Sequence, residues 1–199
     1  ATGLEARYHN ALGRLLMERN ASDRALSHFE RAYELRREAL GDTHSVTALA
    51  LLNMAVGIVG AGDTSRGRSV MERACADLVK GQGPPRLAAA CWTNLGGLEV
   101  QLGRDARAVE PYERALKLEV DRAGGDTPIA AETLGSLGRA RYRAGQAERA
   151  VEDLSQAVAT MERIHGLGSP QALTLMPSLG QAQLAVGDGH LPENLSAVG

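Results

Sequence analysis

The chain has 199 residues, a formal net charge of −2, 44% hydrophobic residues and only 3% aromatic ones. That near-neutral balance does not mark a nucleic-acid or membrane-surface protein, and no apolar run approaches the ~18 residues of a membrane span. The opening Ala1-Thr2-Gly3-Leu4-Glu5 lacks the basic-then-apolar layout of a signal peptide, so a soluble cytoplasmic protein is expected.

Abundant Ala and Leu favour closely packed helices over a β-fold. The first predicted helix covers 2–19, with Leu4, Tyr8, Ala11, Leu12 and Leu15 as its apolar stripe and Glu5, Arg7, Arg14, Glu18 and Arg19 solvating the other side. Its partner covers 22–40, opened by Ser22 as N-cap and closed by Gly41. Helices follow near 44–60 and 64–80, joined by Gly60-Ala61-Gly62-Asp63 with Asp63 or Thr64 as cap. Gly81-Gln82-Gly83-Pro84-Pro85 breaks the chain before helices near 85–102 and 105–123, the second capped by Asp105 and carrying Pro111, which invites a bend. Thr127-Pro128 reads as an N-cap with Pro at the first helical position, and the helix it opens is followed by one over about 146–165. Ser169-Pro170 opens a last helix to about Val186, with Pro177 inside it. No charged residue stands between Gly166 and Gly187.

The elements repeat. Leu12-Gly13, Met54-Ala55, Leu95-Gly96, Leu137-Gly138 and Leu179-Gly180 recur at steps of 42, 41, 42 and 42 residues. In phase with them stand small residues at Ala25, Gly67, Ala108 and Ala150, and bulky ones at Phe29, Met71, Tyr112 and Leu154. A further small residue follows at Ala32, Ala74, Ala115 and Ala157. A period of this size means stacked helix pairs rather than one closed core. The pattern W-x2-L-G followed by A-x3-F, best kept by Trp92, Leu95, Gly96, Ala108, Tyr112 and Ala115, resembles the tetratricopeptide repeat. The long step is similar to the kinesin-light-chain-like variety, also found in bacterial signalling proteins.

The resemblance implies an all-α, right-handed α-solenoid of four helix pairs plus an unpaired C-terminal helix. The array would span 1–189, in units of about 2–42, 43–83, 84–125 and 126–168 with a partial unit at 169–189. The tail 190–199 is expected to be poorly ordered.

Residues that carry chemistry are scarce. The sequence holds no Gly-rich phosphate loop, H-E-x-x-H or G-x-S-x-G, and its five histidines are scattered, so no enzyme, metal or cofactor is expected. His44 and His165 fall at equivalent inter-unit turns and read as helix-end residues. Cys75 and Cys91 lie on neighbouring predicted helices; a disulfide is conceivable, two buried reduced thiols the favoured expectation.

The family implies a concave groove lined by the first helix of each unit, and hence a protein-binding scaffold. The residue before each Leu-Gly landmark faces that groove in the family: Ala11, Asn53, Asn94, Ser136 and Ser178 here. An Asn side chain offers both donor and acceptor to a peptide main chain. The expected groove residues are Asn10, Arg14, Met17, Asn53, Val56, Val59, Asn94, Val100, Arg139, Tyr142 and Arg143. An apolar floor with arginines towards both ends suits a peptide with an apolar anchor and acidic flanks. The alternative is self-association, as a homodimer, through Leu173, Leu175, Met176, Leu179 and Leu184 on the uncharged last helix.

Overall fold

The computed structural model describes residues 2–188, so the expected tail at 190–199 lies outside the described residues. The helices are α1 Thr2–Glu18, α2 Ser22–Leu40, α3 Ser45–Gly60, α4 Thr64–Lys80, α5 Pro85–Gln101, α6 Asp105–Ala123, α7 Pro128–Arg143, α8 Ala147–His165, α9 Pro170–Leu173 and α10 Met176–Asp188. They fall into two compact units, one up to Leu95 and one from Gly96. In the first unit α1 packs on α2, α2 on α3 and α3 on α4. In the second, α6 packs on α7, α7 on α8, and α8 on both α9 and α10.

The landmarks of the sequence are the contacts that close each hairpin. A Cβ on Gly13 would lie 2.6 Å from Cε1 of Phe29; on Gly96, 2.8 Å from Cε1 of Tyr112; on Gly138, 2.7 Å from Cγ of Leu154. The glycine therefore leaves the space that the bulky residue of the partner helix fills. The hairpin turns repeat too. Asn20, Gly62, Gly103 and Gly145 all adopt positive φ (55°, 98°, 68° and 79°), a region open to Gly and tolerated by Asn.

Caps follow elementary chemistry in most places. His44 accepts from the Val46 N–H at 3.1 Å, Asp63 from Arg66 at 3.1 Å, and Thr127 from Ala130 at 3.1 Å. Ser22 and Asp105 do not cap. Each is the first residue inside its helix, with Ala21 and Arg104 at the cap positions making no side-chain bond. A carboxylate at the first helical turn still complements the positive helix end, and Asp105 also meets Arg143 at 3.6 Å.

Three further expectations change. Most of the α1 stripe is turned outward: Leu4, Tyr8 and Leu15 are 73%, 62% and 44% exposed, while Leu12 packs on the Leu16–Ala25–Phe29 core and Ala6, Gly13 and Leu16 are buried. The equivalent α3 positions, Ala50 and Gly57, are buried, and a Cβ on Gly57 would press on Leu26 and Phe29 of α2. The stripe of α1 is thus an inter-unit face.

The last predicted helix is broken at Thr174 and Leu175 into α9 and α10. Pro177 has no N–H to offer the carbonyl of Leu173, and it fits the first turn of α10, where no donor is needed. Finally, Cys75 and Cys91 are joined in a disulfide, with Cα atoms 5.4 Å apart and both residues fully buried. The neighbouring helices bring the two Cα atoms within bridging range, which the sequence alone does not decide.

Candidate functional site

In each unit a pocket is lined in part by first helices of the repeat. In the first unit Ala6, Arg7 and Asn10 of α1, Ala32 and Arg36 of α2, and Val46, Leu49, Ala50 and Asn53 of α3 line a recess of about 230 Å³. Across it the Asn53 amide donates to Oδ1 of Asn10 at 2.6 Å, so the two asparagines brace neighbouring first helices. Each amide keeps further donor and acceptor capacity for a ligand.

In the second unit Glu132, Ser136 and Arg139 of α7, Met161 of α8, and Pro170, Gln171, Thr174 and Leu175 enclose about 340 Å³. The two pockets are the same place in the repeat. Glu132, Met161, Gln171, Thr174 and Leu175 stand three repeats after Arg7, Arg36, Val46, Leu49 and Ala50. What differs is the lining. The first pocket has two arginines at its edge, whereas the second has a Met161–Leu175 floor with Arg139 and Glu132 on the same helix.

Arginine pairing singles these pockets out. Four arginines are half-buried: Arg36, Arg68, Arg139 and Arg141. Arg68 meets Glu72 at 2.9 Å, and Arg141 meets Asp153 at 2.6 Å together with Glu113. Arg36 and Arg139, the two that line the pockets, have no carboxylate partner among the described residues. Arg36 reaches the Gly3 carbonyl at 3.4 Å, and Arg139 reaches the Ser136 hydroxyl at 3.0 Å. Burial pulls the Arg139 guanidinium below its ordinary pKa; nearby Tyr112 opposes this and the like charge of Arg143 adds to it. A half-desolvated cation without an anion is costly, and a carboxylate from a ligand would offset that cost.

The other expected groove residues disperse. Met17 packs with Leu16, Ala25 and Phe29; Val59 fills the space beside Gly67; Val100 packs on the core of the second unit; Tyr142 lies against the Ala150–Leu154–Ala182 cluster. Arg14, Val56, Asn94 and Arg143 are exposed but line neither pocket. Arg7 and Arg36 stand at no landmark of the repeat, so periodicity alone does not point to them. On the last helices Leu173, Met176 and Leu184 are 54%, 44% and 68% exposed, Leu179 is half-buried and Leu175 is buried at 4%. Leu175 lies under Gly135 as part of the core, so it belongs to no exposed self-association face. Among the described residues no helix is long and apolar enough to cross a membrane, and no group of three or more His, Cys, Asp or Glu could hold a metal ion.

Residues 6–45 and residues 87–163 each match a tetratricopeptide-repeat family model. The chain belongs to the tetratricopeptide-repeat family. Its fold is that of solved members. A Podosopora anserina kinesin light chain with nearly identical TPR-like repeats matches at TM-score 0.76 and 21% identity, over 92% of this chain and 87% of that one. BtubC (BKLC) from P. vanneervenii matches at TM-score 0.78 and 19% identity, over 94% and 75%. MamA matches more distantly, at TM-score 0.59 and 18% identity, over 82% and 77%. No match is found among curated proteins. The chain is therefore an all-α TPR solenoid similar in fold to the kinesin light chain structure, a fold that serves as a scaffold for protein–protein interaction.

Proposed function

We propose that this TPR chain is a non-catalytic scaffold that holds a peptide segment of a partner protein, acidic residues seated against Arg36 or Arg139 and an apolar residue beside them. The observation that carries this reading is the pairing pattern: the half-buried arginines outside the pockets have carboxylates, and those lining the pockets do not. Bidentate carboxylate recognition is what a guanidinium does better than an ammonium. Asn10 and Asn53 supply sequence-independent main-chain contacts at the first pocket, and Met161 with Leu175 supplies an apolar seat at the second. Glu132 repels acid at the far edge of the second pocket, which fixes the acidic residue on the Arg139 side.

The test is capture from host lysate with wild type and with Arg36→Glu/Arg139→Glu as baits. A partner held by the first and lost by the second is the expected result. The same partners on both baits would remove the pockets as the site. Recovery of this chain alone would favour self-association through exposed Leu173, Met176 and Leu184.

A further inference from the structure

We propose that the His9–His28 pair makes the first hairpin, α1 with α2, a pH-sensitive element that loosens on acidification. The inference is independent of the peptide reading. It starts from the repeat. The place of His9 is held by Leu51, Trp92 and Leu134 in the later repeats, all buried, and that of His28 by Val70, Pro111 and Asp153. In the first hairpin two imidazoles thus stand where the second repeat has Leu51 and Val70. Their Nδ1 atoms lie 2.8 Å apart in a hydrogen bond, with ring centroids at 5.1 Å.

Such a bond needs one Nδ1–H and one bare Nδ1 lone pair, so at least one ring must be neutral. A first added proton is tolerated, because a charged ring can donate to its neutral neighbour. A second leaves two N–H groups and two positive charges face to face.

The surroundings offer no relief. Arg24, one turn before His28 on α2, adds positive charge. Glu5, one turn before His9 on α1, is already bonded to Arg31 at 3.2 Å. Tyr8 meets His9 edge-on at 5.4 Å, and α3, which packs on both helices, carries no titratable side chain. Desolvation first, then His9 and Arg24, hold the His28 pKa below the ordinary 6.5. The sign follows: the unfolded chain binds the proton that the hairpin refuses, so stability is present above pH 6.5 and is lost as pH falls below it.

Ala6, Gly13 and Leu16 are the buried residues of α1, while Leu4, Tyr8 and Leu15 are exposed. Asn10 follows His9 on α1, so movement there also breaks its bond to Asn53 and alters the first pocket.

Segment-resolved hydrogen exchange at about pH 7.5 and about pH 5.5, corrected for intrinsic rates, tests this. In the wild type, protection of α1 and α2 is expected to fall about fivefold at the lower pH, while that of α4, which carries no histidine, stays within about twofold. His9→Leu/His28→Val, which installs the residues of the second repeat, should be flat across the range. Should that variant fail to fold, His28→Gln gives the same readout, because Gln keeps a hydrogen-bonding partner for His9 and takes no proton. Wild-type protection that is unchanged with pH, or an equal fall in the variants, would overturn the proposal.

Discussion

At the scale of single residues, the fold rests on matched small and large side chains. Phe29 is 2% exposed and occupies the space that Gly13 leaves. Phe29→Ala leaves that space empty, since no neighbour can move in from the backbone of α1. A loss of roughly 3–5 kcal/mol in urea unfolding is expected, and a loss under about 1 kcal/mol would contradict the packing described. This pairing was legible in the sequence, because glycine and aromatic recur in phase. The candidate site residues were legible only in part. Asn10, Asn53 and Arg139 stand among the expected groove residues, but Arg36 does not, and the lack of a carboxylate beside Arg36 and Arg139 emerges only in space. Periodicity reports which side of a helix is buried; it does not report which charge lacks a counter-ion.

At the scale of elements, helix positions followed the sequence closely, and differences arise where neighbours rather than local preference decide. Pro177 ends one helix and starts another, and the α1 stripe turns outward because it is the face that α3 presents to α2. The disulfide is the clearest case. Cys75 on α4 and Cys91 on α5 are 16 residues apart in sequence, and bridging them ties the two helices across the Gly81–Pro85 turn. A loop of about that length is worth about 3 kcal/mol through the unfolded chain. Reduction with a small phosphine under mild denaturation is therefore expected to lower Tm by several degrees, with about 4–8 °C per kcal/mol in a domain of this unit's size. An unchanged Tm after complete reduction, verified by a count of two free thiols in mass spectrometry, would show that the bridge contributes nothing.

At the scale of the whole molecule, repetition sets both the fold and the candidate sites. Each helix pair buries only part of its apolar surface by itself, and stacking completes the burial, which is why the same landmarks appear unit after unit. The same translation that repeats the core repeats the pockets, and substitutions within them, Arg7 to Glu132 and Arg36 to Met161, give each its own chemistry. Fold does not fix function, so the protein-binding claim stands on these side chains. Its most direct test is selection from a random peptide library on immobilised wild type, with Arg36→Glu and Arg139→Glu as separate counter-baits. Enrichment of Asp or Glu next to an apolar residue, reduced on either charge-reversed bait and weakened by salt, is the expected result. Selected peptides without acidic residues, or binding that both variants retain in full, would contradict it.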